Sequence, residues 1–305
     1  METLHDTANQ NTAVRFSQAS TLYDPAHAAL WMRTRPTPRP CYNPDLLEDI
    51  LSIRTRMQAH GNILPEGQHK ESLRPAEYFI MASDLQGVFM LGGDLALFAD
   101  AIEREAREEL MHYGRICIDV VHALHHSFFQ PLTTVALVQG ECLGGGFEAA
   151  LAHDIIVAEE QARFGFPEIR FNLFPGMGAT SFLERRIGRV ATMRLLEDEA
   201  ILSAKQMQAL GIVDIVVPNG AGVAEVERLI CRRKSSRNGL EAMARARRRI
   251  QPVEYQELLD IVEIWVEAAL RLTPRDLRTM RRFAQRQNHA FPTQQSDLAP
   301  LRQAG

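Results

Sequence analysis

Two acidic side chains flank a glycine-rich turn near the middle of this chain, and carboxyl groups so placed can move protons to and from a bound substrate. The segment from Val135 to Thr180 reads VALVQGECLGGGFEAALAHDIIVAEEQARFGFPEIRFNLFPGMGAT. An apolar run ending at Gln139 leads into Gly144, Gly145 and Gly146, and Phe147, Ala149, Ala150 and Leu151 continue as a helix, so the glycines stand at its N-terminus. The first amides of a helix have no partner within it. With no Cβ on the turn, a substrate carbonyl can approach those N–H groups closely, and the helix dipole adds partial positive charge where an enolate oxygen would develop. Glu148 falls in the first turn of that helix, and its side chain leans back toward the N-terminus, beside the polarised carbonyl. A short strand pattern from Ile155 to Ala158 and a turn at Phe166-Pro167 then lead to Glu168, far away in sequence yet able to come close in space. Taken singly, Glu148 reads as a helix-terminal carboxylate and Glu168 as a solvated loop residue.

The elements that must hold these residues are legible as patterns. Residues 1–13 are polar and read as a loose tail. Val14 to Ser17 and Ala28 to Met32 have strand character, separated by the turn-forming Asp24-Pro25. Asn43-Pro44 fits an N-cap and first helical position, with Leu47, Ile50, Leu51 and Met57 on the buried side. Residues 61–75 read as a loop, and Tyr78 to Ala82 as a strand. Ile102, Ala106, Leu110, Tyr113, Cys117, Val120 and Leu124 recur at helical spacing and predict a long helix with a break near Gly114. Alternating strand and helix signals through Val217 predict a mixed α/β core with parallel pairing. Ser203 and Gln206 match a capping box ahead of a short helix and a strand from Ile212 to Val217. Beyond Pro218 the chain reads as helical. Leu258, Ile261, Val262, Trp265 and Ala269 share one apolar face, and Thr273-Pro274 opens a final helix with Leu277, Met280 and Phe283. The expected organisation is a tail over 1–13, a catalytic core over 14–217 and a helical region over 218–305.

The glycine turn, the glutamate just inside the helix and the second glutamate of the Pro167-Glu168 pair resemble the crotonase, or enoyl-CoA hydratase/isomerase, superfamily. Pro175-Gly176-Met177-Gly178 extends the match. The resemblance runs from the loop at Asp94 through Val217 and implies an α/β fold, a crotonase-like core of repeated ββα units with a C-terminal helical region. It also implies a second oxyanion donor on an upstream Gly-x-Asp loop. Leu91-Gly92-Gly93-Asp94 fits, so the implied donors are the backbone amides of Gly93 and Gly145. With both loops present, the site reading outweighs the bland readings of the two glutamates. The wording LGGDLALF, GGGFEAALAHD, GFPEIRFNLFPGMG and IVEIWVEAAL is most similar to the bacterial diffusible-signal-factor synthases, which make cis-2-unsaturated fatty acids. That closer resemblance implies an acyl tunnel lined by Met177 and Trp265, with Phe283 as a further pocket residue. Ordinary core packing explains the same side chains nearly as well.

The implied chemistry is dehydration of a medium-chain 3-hydroxyacyl thioester, on acyl carrier protein or on CoA, to the 2-enoyl thioester. Hydrolysis to the free acid would follow on the same oxyanion hole. One glutamate takes the C2 proton and the other protonates the departing hydroxyl. The resemblance assigns Glu168 to C2 and Glu148 to the hydroxyl or water, while the sequence leaves that division open. It also implies a sensor-kinase partner, and the expected assembly is a homotrimer or hexamer with no cofactor. Two other functions fit: an enoyl-CoA hydratase of β-oxidation, and a regulatory binding protein that kept the fold and lost the chemistry. Intact Glu148 and Glu168 argue against the latter, and the Trp-containing C-terminal helix argues against the former.

Composition narrows the field. A formal net charge of −4 over 305 residues gives no electrostatic case for nucleic acid. Arg232, Arg233 and Lys234 with Arg245, Arg247, Arg248 and Arg249 make one sector basic, which reads first as a solvated helix face and second as a dock for an acidic carrier protein or a phosphate. The start METLHDTANQNTAVRF is no secretion leader and no apolar run is long enough to span a membrane, so a cytoplasmic protein without membrane insertion is expected. Cys41, Cys117, Cys142 and Cys231 are too scattered for a disulfide framework or a zinc site. Gly176-Met177-Gly178 is only half of a dinucleotide turn, and no Gly-x-Ser-x-Gly elbow occurs. His122, His125 and His126 lack the glutamate and third ligand of a zinc helix, so no metal is expected.

Overall fold

The computed structural model describes residues 13–60 and 74–289. The loose tail expected over 1–13 lies outside them except for Ala13, as does most of the loop expected over 61–75. The chain opens on strands β1 (Ala13–Arg15), β2 (Ala19–Asp24) and β3 (Ala29–Thr34), then helix α1 (Pro44–Ala59). One plan then repeats. Strands β4 (Tyr78–Ser83) and β5 (Val88–Met90) precede α2 (Leu95–Glu103) and α3 (Arg107–His125). Strands β6 (Thr133–Val138) and β7 (Glu141–Leu143) precede α4 (Gly145–Leu151), and β8 (Ile155–Glu159) and β9 (Arg163–Gly165) precede α5 (Ala179–Glu197). Strand β10 (Leu202–Ser203), α6 (Ala204–Ala209) and β11 (Ile215–Val217) follow, and then helices α7 (Gly222–Arg233), α8 (Arg237–Ile250), α9 (Tyr255–Ala269) and α10 (Pro274–His289).

In each repeat the first strand enters a large sheet of order β1-β2-β3-β4-β6-β8-β11, and the second enters a small sheet of order β10-β9-β7-β5. From β3 to β11 the large sheet is parallel, and β5, β7 and β9 are parallel in the small one. These are the ββα repeats and C-terminal helices that the sequence resemblance implies. Both faces of the large sheet are covered, so its central strands read as unbroken apolar runs. In β4, Tyr78 and Ile80 pack toward Val226, Leu229 and Ile230 of α7, whereas Phe79 and Met81 join the main core. No helix among the described residues is long and apolar enough to cross a membrane.

Local sequence explains several boundaries. Asn43 caps α1 by accepting a hydrogen bond from Leu46 N at 3.0 Å, with Pro44 in the first position. Both halves of the Ser203–Gln206 capping box are made. Strand β2 escapes the sequence reading because ASTLYD mixes polar and apolar residues, and β7 and β9 are too short to show a period. The last core strand is confined to Ile215–Val217, short of the expected start at Ile212. The long helix breaks between α2 and α3, where Glu105 takes φ 51°, and not at Gly114. Gly114 instead marks a helix crossing, since a Cβ there would lie 2.4 Å from Val262 Cγ1 of α9.

Gly114→Ala is therefore expected to destabilise the protein by about 1–3 kcal/mol through overpacking. Val262→Ala in the same chain should recover much of that loss. Denaturant unfolding of the two single variants and the double variant measures the coupling, and strict additivity would remove this crossing as the reason for the glycine.

Candidate active site

The small sheet brings the candidate residues together. Its parallel strands β5, β7 and β9 end side by side, and crevices beyond the carboxyl ends of parallel strands are natural ligand sites. The loop Leu91–Asp94 leaves β5, Gly144 and α4 leave β7, and Phe166-Pro167-Glu168 leave β9. Leu143 is in register with Gly165, and Gly144 N donates to Gly165 O at 3.0 Å. Two segments that are 21 residues apart in sequence, from Gly144 to Gly165, are thereby fixed next to one another.

Glu148 is buried in the first turn of α4. Its Oε1 accepts hydrogen bonds from Met177 N at 2.7 Å and Ala179 N at 3.0 Å. Burial pushes its pKa up to about 7, and the two backbone donors restrain the rise. Glu168 has an Oε2 with no partner among the described residues. Burial pushes its pKa up to about 8, and the Glu148 carboxylate adds to the shift. Glu168 is partly buried and lines the cavity described below. Two acids coupled in this way both hold their protons to higher pH than an ordinary carboxyl group. Gly144 permits the approach: it adopts φ 51° and ψ −128°, and a Cβ there would lie 2.4 Å from Glu168 Oε1.

The amides of Gly93 and Gly145 border one small space. A Cβ on Gly145 would lie 3.3 Å from Gly93 N, and one on Gly92 would lie 3.5 Å from Gly145 N. Neither amide donates to a protein acceptor among the described residues. The loop that carries Gly93 is held from several sides. Tyr42 N donates to Gly92 O at 2.8 Å, and Leu91 N donates to Pro40 O at 2.7 Å. Asp94 caps α2 through Ala96 N and Leu97 N and accepts from Arg39 Nη2 with both oxygens at 2.8 Å. From α10, the buried Gln287 donates Nε2 to Leu91 O at 2.7 Å and to Gly93 O at 3.0 Å. Tyr113 OH donates to Tyr42 O and braces the same turn.

A cavity open to solvent reaches both glutamates and both glycines. Phe98, Val120, Phe171, Met177 and Trp265 give it apolar walls. Trp265 is 3% exposed, its ring meets Phe98 edge-on at 5.0 Å, and a Cβ on Gly176 would lie 2.5 Å from its Cγ. Phe283, expected at the pocket, is not among the lining residues. It packs behind Phe171, with 5.7 Å between ring centroids, one layer out from the cavity. Cys117 lines the wall, and burial pushes its thiol pKa well above the usual range, which disfavours the thiolate. The segment Gly176-Met177-Gly178 serves the Glu148 carboxylate through the Met177 amide.

The enoyl-CoA hydratase/isomerase family model matches residues 73–256. The chain belongs to that family. An enoyl-CoA hydratase/isomerase of Xanthobacter autotrophicus Py2 superposes with a TM-score of 0.69 at 22% identity, over 91% of this chain and 100% of that one. An enoyl-CoA hydratase of Bacillus halodurans gives 0.67 at 20% identity, over 90% and 100%. Pseudomonas aeruginosa DspI gives 0.54 at 21% identity, over 77% and 85%. At these identities the likeness is one of fold.

Sequence reasoning missed the supports of this candidate site. Tyr113 sits on the apolar stripe of α3 and reads as core, whereas the reach of Gln287 to Leu91 and Gly93 has no local signal in the sequence. The acids themselves set a stability test. Their folded pKa values stand above the ordinary 4.5, so the stability they contribute is complete below that pH and is lost as pH rises through about 7 and 8. Glu168→Gln removes one of those losses. Its melting temperature relative to the unmodified protein is expected to climb between about pH 5 and about pH 9, by on the order of 1–2 kcal/mol or a few degrees. A difference that stays constant across the range would contradict the raised pKa of Glu168.

Proposed function

We propose that this chain is a synthase of a diffusible fatty-acid signal. It dehydrates a medium-chain 3-hydroxyacyl thioester on acyl carrier protein to the 2-enoyl thioester and releases the free cis-2-unsaturated acid. The observation that carries this reading is the pairing of Glu148 and Glu168 across the Gly144 turn, in an apolar cavity whose wall includes Trp265 of the C-terminal helices. In the proposed reaction the amides of Gly93 and Gly145 hold the thioester oxygen as negative charge builds on it. One glutamate removes the C2 proton, the other protonates the C3 hydroxyl, and water leaves. In the second step a water deprotonated by a glutamate adds to the thioester carbon. The tetrahedral oxyanion rests on the same two amides and collapses to the carboxylic acid and the carrier thiol. Acyl carrier protein, a sensor kinase and a cytoplasmic homotrimer or hexamer complete this reading.

Hydration of an enoyl-CoA in fatty-acid metabolism has its own support. The Xanthobacter and Bacillus structures, named as an enoyl-CoA hydratase/isomerase and an enoyl-CoA hydratase, match 91% and 90% of this chain. Water addition starts with one glutamate ionised to take the water proton and the other protonated to supply C2, and raised pKa values on both acids suit such a shared proton. Dehydration requires the opposite placement of the same proton, so one pair serves both directions.

Mass spectrometry of products from 3-hydroxyacyl carrier protein and from enoyl-CoA, run in parallel, separates the two. Free 2-enoic acid from the carrier-protein substrate is expected, and Glu148→Gln and Glu168→Gln should each lower its formation by roughly 10²–10⁴-fold in folded protein. Hydrated CoA ester without free acid would replace the synthase with a hydratase, and near-normal turnover in either variant would remove the two-carboxyl mechanism.

The acyl wall has a separate test. Trp265→Ala should shift preference toward longer or branched chains, because each extra buried methylene is worth about 0.8 kcal/mol. Relative rates across a series of acyl lengths measure the shift. An unchanged profile with a stability loss of about 3–5 kcal/mol would make Trp265 a core residue only.

A further inference from the structure

Where the turn between β2 and β3 meets helix α7, metal-ligating side chains come together that the carboxyl pair does not use. One donor atom each of Asp24, His27 and Glu227 lies within 4.8 Å of the others. All three residues are half-buried rather than sealed, so an ion from solvent can reach them. Cys231 is exposed and lines the same surface cavity as His27 and Glu227. Glu227 and Cys231 stand four residues apart on α7, a spacing that puts both on one face of the helix. Sequence spacing conceals the group, because Glu227 follows His27 by 200 residues.

The protein supplies these acids with no cation of its own. Glu227 makes no hydrogen bond or ion pair among the described residues, and the only ion-pair partner of Asp24 there is His27. Nearby guanidiniums are turned elsewhere. Arg228 and Arg232, which border the cavity, stand 3.3 Å and 2.8 Å from the buried Glu225, and Arg74 donates to Pro25 O at 3.3 Å. Two carboxylates that approach without a cation repel one another, and a divalent ion between them converts that repulsion into attraction. Asp24 is already oriented for this. Its Oδ1 accepts from Ala26 N at 2.9 Å and from His27 N at 3.4 Å, and its Oδ2 stands 2.6 Å from His27 Nδ1. Backbone donors that hold one carboxylate oxygen fix the direction in which the other points.

We propose that Asp24, His27, Glu227 and Cys231 bind a divalent transition-metal ion of the zinc type. The donors are an imidazole nitrogen, a thiolate sulfur and two carboxylate oxygens. Four ligands of mixed N, S and O type suit zinc, whereas calcium takes about six to eight oxygens. At zinc bond lengths of about 2.0–2.3 Å, tetrahedral ligands stand roughly 3.3–3.8 Å apart. The donor atoms of Asp24, His27 and Glu227, already within 4.8 Å of one another, close to that span by rotation of half-buried side chains. On binding, the Cys231 thiol releases its proton to water, and the neutral His27 ring keeps its one proton on the nitrogen that does not bind. The bound ion cross-links the β2–β3 turn to α7.

Calorimetric titration of the full chain, first stripped of metal with a chelator, tests this with zinc and calcium at neutral pH. Saturable zinc binding with a dissociation constant below about 10 μM is expected, and calcium at the same concentrations should not saturate. His27→Ala and Glu227→Gln should each weaken zinc binding at least roughly ten-fold, since a lost ligand costs no less than a lost outer-shell partner. Zinc should also raise the melting temperature of the unmodified chain and not that of His27→Ala. Cobalt in place of zinc gives a readout that needs no variant. Its complex should show a thiolate-to-metal charge-transfer band, which Cys231→Ser abolishes, because Cys41, Cys117 and Cys142 are buried. Lack of saturable zinc binding, calcium binding of equal strength, undiminished affinity in either ligand variant or a cobalt complex without the thiolate band overturns the proposal.

Discussion

The parallel register of the small sheet is the constraint on which the site depends. Leu143 opposite Gly165 fixes where α4 begins relative to the Pro167-Glu168 turn, and Met90 opposite Cys142 sets the Gly93 loop beside both. A slip of one residue would turn every side chain of the slipped strand to the other face. It would also separate Gly144 N from Gly165 O and carry Glu168 away from Glu148. The strands have only three residues each, so the helices and large sheet around them must hold the register.

Within that frame the carboxyl pair is an electrostatic tension that the fold tolerates. Desolvation opposes ionisation of both acids, and each ionised acid opposes the other. The Met177 and Ala179 amides relieve part of this at Glu148, whereas Glu168 keeps an oxygen without a protein partner. Two acids in unequal surroundings carry unequal proton affinities, which is what the proposed exchange of acid and base roles requires.

The C-terminal helices are built into the site as well as onto the core. Trp265 of α9 closes a wall against Phe98 and Gly176, and Gln287 of α10 ties down the carbonyls on either side of Gly92. For the proposed reaction, a loop held in this way would keep its amides aimed before substrate arrives, so that no reorganisation is needed as charge develops. Arg248 of α8 reaches instead to Asp154, at the other end of α4, so part of the basic sector is structural rather than a solvated face.

Much of this was legible in the one-dimensional pattern. Gly144 to Gly146 ahead of an apolar helix, Glu148 one turn in, and the Pro167-Glu168 turn are local features whose chemistry follows from residue type and spacing. The helix starts at Asn43-Pro44, Ser203 and Thr273 were equally readable, because capping is a property of four neighbouring residues. What lay outside the sequence depended on contacts between distant segments. Gly114 reads as a break until Val262 is seen against it, and Phe283 reads as a pocket residue until Phe171 is seen in front of it. The raised pKa values of Glu148 and Glu168 and the grip of Gln287 on Gly93 are likewise invisible in the chain. Each depends on which groups exclude water from which, and packing in three dimensions decides that.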